Sequence, residues 1–76
     1  MVHAFIMVKT AAGKSEDLLS SIRGLEQVVE AHIVAGDYDI ISEVDVDEVY
    51  DVLHTTSAGI RGLDGVADTK TYISMG

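Results

Sequence analysis

Ile22-Arg23-Gly24-Leu25-Glu26-Gln27-Val28 returns 38 residues later as Ile60-Arg61-Gly62-Leu63-Asp64-Gly65-Val66, half a chain length away. Each copy stands between a run of helical spacing and a run of β-prone residues. The physical content is the same both times. An apolar residue closes the helix, glycine turns the chain, leucine fills the layer between helix and sheet, and valine opens the strand. The two joints either descend from a duplication or converged on one local solution. Both histories put a helix–strand junction at the same point of each half.

The rest of the chain supplies the elements these joints connect. Val2 to Val8 is a continuous β-prone run, ended by Lys9-Thr10 and the turn-like Ala11-Ala12-Gly13, and predicts a first strand. Gly13 to Arg23 predicts a helix. Ser15, Glu16 and Asp17 suit its first turn, and Leu18, Leu19 and Ile22 form its apolar stripe. Gly24 is expected at the helix end with positive φ. Val28 to Ala35 reads as a second strand, with Val29, Ala31, Ile33 and Ala35 on one face and Val28, Glu30, His32 and Val34 on the other. Gly36-Asp37-Tyr38-Asp39 reads as a tight hairpin into a third strand, Ile40 to Val46. Asp47 is the expected N-cap of a second helix, in which Val49, Val52, Leu53 and Thr56 recur at helical spacing; Val49, Val52 and Leu53 are expected to face the sheet. Val66 to Met75 reads as the last strand. The order is βαββαβ. Right-handed crossovers then give an α+β, ferredoxin-like sandwich of four antiparallel strands with two helices on one face. Residues 1–76 contain no linker and read as a single domain.

The first strand is apolar on both sides: Val2, Ala4, Ile6 and Val8 on one, Phe5 and Met7 on the other. Such a strand calls for cover on both faces, and two helices cover only one. The second cover is expected to be another subunit, with Phe5 and Met7 in a sheet-to-sheet dimer interface. Composition agrees. A chain of 76 residues has a marginal core of its own, and the absence of cysteine excludes disulfides and Cys-based metal sites. Thirteen acidic against five basic side chains, a net charge of −8, argue against nucleic-acid binding and against attraction to an anionic membrane. Met1 to Val8 is too short for a signal peptide or a membrane span, so a cytoplasmic location is expected. The acidic excess also fits a salt-rich cytoplasm, in which case melting temperature should rise in molar salt.

The order of elements, the hairpin Gly36-Asp37-Tyr38-Asp39, the closing Gly65-Val66-Ala67-Asp68-Thr69-Lys70-Thr71 and the opening Phe5-Ile6-Met7-Val8-Lys9-Thr10 with Gly13 resemble the regulatory domain of the Lrp/AsnC (feast/famine) transcriptional regulators. Full members carry an N-terminal helix-turn-helix. This chain begins at the first sheet strand and so resembles a stand-alone regulatory domain. The resemblance implies two sheets packed face to face as a dimer and further association, such as a ring of four dimers. It also implies amino acids or similar metabolites bound in clefts between subunits. Full-length regulators of the family are the implied partners.

Within this frame Gly36, Asp37, Tyr38 and Asp39 are candidate effector residues. Backbone N–H groups near Gly36 suit a carboxylate, and Asp37 or Asp39 suits an α-ammonium. The alternative is a turn in which Gly36 supplies positive φ and Asp37 an Asx-turn. Thr69 and Thr71 share one face of the last strand and offer hydroxyls to an effector, or serve as β-formers on an edge. His3, His32 and His54 lack metal-ligand spacing, so no metal or cofactor is expected. The acidic cluster Glu43, Asp45, Asp47, Glu48 and Asp51 reads as capping and solvation, and Arg61 is left without an assigned role. A small dimeric ferredoxin-like enzyme of oxygenase or isomerase type is one alternative, needing a pocket with His3 or His32 beside a carboxylate. An ACT-like amino-acid-binding domain is the other, with its site by the first strand–helix turn Ala11-Ala12-Gly13. The preferred reading is non-enzymatic sensing of an amino acid that modulates oligomerisation and transcription.

Overall fold

Alternation along β1 (Val2–Thr10) divides the molecule. Ala4, Ile6 and Val8 are fully buried, whereas Phe5 and Met7 are only half-buried. The computed structural model describes residues 1–76 and has the expected element order: β1, α1 (Ser15–Arg23), β2 (Val28–Ile33), β3 (Ile40–Val46), α2 (Val49–His54) and β4 (Val66–Ile73). The strands form one antiparallel sheet in the order β2-β3-β1-β4. This is the ferredoxin-like arrangement.

The core lies between the sheet and the helices. Leu18 and Ile22 from α1, Val52 from α2 and Ile60 meet Ala4, Ile6, Val8, Ala31, Ile40 and Val44. Each fully buried isoleucine contributes roughly 2 kcal/mol of transfer free energy before its ordering cost. Ser42, the one polar residue fully enclosed there, donates its hydroxyl to the Ile6 carbonyl at 2.9 Å. The two repeated joints match in detail. Leu25 N–H donates to Ile22 O and Leu63 N–H to Ile60 O, both at 3.0 Å. In each copy the isoleucine is buried and the leucine half-buried.

Several local expectations are corrected. Gly24 is right-handed at φ −77°, its N–H held by the Ser20 and Ser21 carbonyls, so the first helix ends by tightening. The left-handed glycines are Gly13 (φ 77°) and Gly65 (φ 97°), where any side chain would be strained. A bulge between Val28 and Glu30 leaves Val29 exposed and brings Val28 to the helix side with Ala31. Strand β2 stops at Ile33, so the connection to β3 is a six-residue loop, Val34–Asp39. The N-cap of α2 is Glu48, one residue after Asp47, and its N–H is accepted by Asp51 Oδ2 at 3.3 Å. Strand β4 ends at Ile73, short of Met75.

Val49 and Leu53, expected in the core, are 47% and 55% exposed. The six-residue α2 aims only Val52 at the sheet, and the chain then widens into a π-type turn over Thr55–Ile60. There the Thr55 and Thr56 hydroxyls donate to the Asp51 and Val52 carbonyls. Arg61 N–H reaches back five residues to Thr56 O at 2.8 Å. This turn delivers Thr55, Thr56 and Ile60 to the core in place of another α-helical turn.

Candidate functional site

The six residues of the β2–β3 loop are fastened at their base. Val34 N–H donates to Asp39 O at 2.8 Å, and Asp39 N–H donates to Val8 O at 3.0 Å. The Asp39 carboxylate accepts the Thr10 backbone N–H at 2.8 Å and the Thr10 hydroxyl at 3.2 Å through the same oxygen. Ser15 Oγ lies 2.8 Å from Thr10 Oγ1 and continues the chain of hydroxyls to the start of α1. Lys9 Nζ donates to Asp37 O at 3.0 Å. The Thr10 N–H above all, then the Thr10 hydroxyl and the Lys9 charge, hold the Asp39 carboxyl below its ordinary value of 3.8 against the opposing effect of burial.

Above this base the loop borders an open hollow of about 470 Å³ on the uncovered face of the sheet. Gly36, Asp37 and Tyr38 line its loop side, Met7 and Ile41 its floor, and Lys70 and Tyr72 its far wall. The wall thus offers a cation, a carboxylate, two phenols and exposed backbone over an apolar floor. Such a set can pair with an anion and a cation and seat an apolar group. Gly36 does not have positive φ, so the alternative reading of that glycine as a left-handed turn residue does not hold.

The expected residues are not all brought together. Gly36, Asp37 and Tyr38 line the hollow; Asp39 is occupied at its base. Thr69 and Thr71 pair with Val8 and Ile6 and lie on the helix side of the sheet, where Thr71 Oγ1 is 3.4 Å from Thr56 Oγ1. Sequence reasoning missed Lys70 and Tyr72. The signal was available: Ile73 has the parity of a core residue, which puts Thr71 and Thr69 inward and Tyr72 and Lys70 outward.

Phe5 and Met7 stand on the uncovered face, next to Ile41. The acidic cluster is divided by the strand. Asp51 belongs to the α2 start, whereas Glu43 and Asp45 flank His3 on the open face. His3 Nδ1 meets Asp45 Oδ1, and Nε2 lies 3.1 Å from Glu43 Oε1. His32 Nε2 is 3.4 Å from Glu30 on the edge strand, both well exposed. His54 stacks on Tyr50 at 6.4 Å on the outside of α2. No group of three or more His, Cys, Asp or Glu is arranged to hold a metal ion. No helix is long and apolar enough to cross a membrane.

Comparison with known proteins places this geometry. The chain is similar to a protein of Thermus thermophilus called TTHA0845, with a TM-score of 0.96, 29% identity, and coverage of 100% of this chain and 95% of that one. It is similar to FFRP-DM1, with a TM-score of 0.92, 35% identity, and coverage of 99% and 100%. It is also similar to AsnC of E. coli, with a TM-score of 0.91 and 25% identity over 99% of this chain and 51% of that one. The leucine-responsive regulatory protein of Haemophilus influenzae is 32% identical over 60 residues, 79% of this chain and 36% of the relative. The chain therefore spans about a third of the length of the curated relatives it matches. Residues 3–76 match the family of the Lrp/AsnC ligand binding domain, and the chain belongs to that family.

Proposed function

We propose that this chain is a non-enzymatic sensing module. It binds an amino acid or related metabolite between subunits and, through that binding, shifts its own assembly and the activity of a transcriptional regulator. The observation that carries this reading is the hollow under the β2–β3 loop, where Lys70, Asp37, two tyrosines and free loop backbone surround an apolar floor. The leucine-responsive relatives lend support by their name. A homodimer formed through Phe5 and Met7 is the basal unit. Association of dimers, up to a ring of four, and association with full-length regulators in the cytoplasm follow from the same reading. One chain holds the loop and the Thr69 and Thr71 hydroxyls on opposite faces of the sheet. A site that uses both takes them from different copies.

An effector changes assembly only by the difference in its affinity for the two assembly states. Titration calorimetry across the twenty amino acids tests the proposal. At least one is expected to bind at or below millimolar concentration. Asp37→Ala and Lys70→Ala should each weaken that binding by about tenfold, the loss of one charge-assisted partner. Absence of binding at millimolar concentration for all twenty would remove the sensing function and leave only assembly.

A further inference from the structure

The open face of the sheet is unevenly charged. Four carboxylates, Glu30 on β2, Glu43 and Asp45 on β3 and Asp68 on β4, stand against Lys9 on β1 and Lys70 on β4. Tyr72 of β4 also faces this side. Glu30 is placed opposite Glu43 in register, an unfavourable like-charge pair. His3 stands on this face with its pKa shifted upward. With the Asp37 carboxylate of the β2–β3 loop, five carboxylates stand against two lysines, an excess of three negative charges that a protonated His3 lowers to two.

His3 is built into this face and His32 is not. Both ring nitrogens of His3 meet carboxylates, Asp45 at Nδ1 and Glu43 at Nε2. Only the doubly protonated ring donates to both; either neutral tautomer turns a lone pair toward one of the carboxylates. The hydrogen bond to Asp45 foremost, then Glu43, holds the His3 pKa above its ordinary 6.5 despite partial burial. The ring also packs edge-on against Phe5 at 5.0 Å, so its charge sits beside the apolar centre of the face.

We propose that His3 is the charge-matching residue of the face-to-face contact between two copies of this chain: protonated between Glu43 and Asp45 it cancels negative charge that each face brings to the other, and loss of that proton weakens the pair. The inference rests on the reading that a second copy covers the open face. A second copy is the occupant because an isologous contact sets each face against itself. This face is closer to self-neutral when His3 is charged, and Phe5, Met7 and Ile41 supply its apolar middle. The carboxylates of the facing copy favour the imidazolium further, so the dimer binds protons more tightly than the monomer. The dimer is strongest at low pH and weakens as pH rises through the window between the monomer's His3 pKa and the dimer's, both above 6.5.

Sedimentation equilibrium from about pH 5.5 to about pH 8.5, at about 0.15 M salt, tests this. The dimer of the unaltered chain should weaken by about tenfold or more across that range. His3→Gln should remove the pH dependence and leave a uniformly weak dimer, whereas His32→Gln should keep most of it. Glu43→Gln with Asp45→Asn should give a dimer that stays tight at high pH. Without any substitution, the His3 ring titration followed by NMR should move to higher pH as the protein is concentrated. A His3→Gln chain with the original pH profile would overturn the inference. So would a dimer indifferent to pH, which leaves the sheet-to-sheet reading standing. A monomer at every pH overturns both.

Discussion

The two faces of the sheet are made by alternate residues of the same four strands, yet they follow different rules. On the helix side Ala4, Ile6, Val8, Ile40 and Val44 are fully buried, and the one polar residue fully enclosed among them, Ser42, is hydrogen-bonded. On the open side Phe5, Met7 and Ile41 lie among His3, Glu43, Asp45, Lys70 and Tyr72. The helix side is a finished interior. The open side has the mixture of apolar centre and charged rim found at surfaces that meet a partner and part from it. Folding belongs to one face; assembly and sensing are proposed for the other.

Substitutions at neighbouring positions of β1 should separate these roles most sharply. Ile6→Ala leaves a cavity in the interior and should cost about 3 kcal/mol. That is a large share of the stability of a domain this small, and denaturant unfolding will read it. Phe5→Glu, one position away, should leave the unfolding of the dilute monomer nearly unchanged but weaken the dimer by about thirtyfold or more in sedimentation. If both substitutions destabilised the monomer alike, the division between the faces would fail.

Asp39 links the faces, because it ties the loop over the open side to Thr10 and, through Ser15, to the start of α1. Its carboxyl is held below the ordinary value, so its stabilising contribution is complete above about pH 3.8 and fades as pH falls below that toward the folded-state pKa. Asp39→Asn should therefore melt lower than the unaltered chain at neutral pH. The gap should close as the pH is lowered below 3.8, as thermal melts at a series of pH values will show.

The smallest effect is expected at Leu53. Helical spacing put this residue in the core, and it is 55% exposed. Leu53→Ala should change stability by less than about 1 kcal/mol, where a buried leucine would lose about 2 to 5 kcal/mol.

That difference marks what the sequence could and could not reveal. The helix–strand joints were legible because the repeat Ile-Arg-Gly-Leu encodes the same local hydrogen bond twice. The two-sided character of β1 was legible from strict alternation. The facing of Val28 and Val29 was not, since the bulge between Val28 and Glu30 breaks the parity that from Glu30 onward runs as the alternation predicts. The orientation of Val49 and Leu53 was lost for a related reason. The π-type turn at Thr55–Ile60 depends on threonine hydroxyls taking backbone carbonyls, which spacing does not record. At the site, the loop residues Gly36 to Tyr38 were recognisable as a connection with free backbone. The contributions of Lys70 and Tyr72 required the β1–β4 register. The pairing of His3 with Glu43 and Asp45 required the β1–β3 register, across separations of 40 and 42 residues.

On the proposed reading the open face works only when another copy covers it, and an amino acid alters that state. Solution mass measured by sedimentation, with and without each amino acid at millimolar concentration, tests it most directly. Particles of at least two chains of 8.1 kDa each are expected, with a mass or dissociation constant that shifts for at least one amino acid. A single chain of 8.1 kDa under every condition, or an assembly unmoved by all twenty, would contradict it.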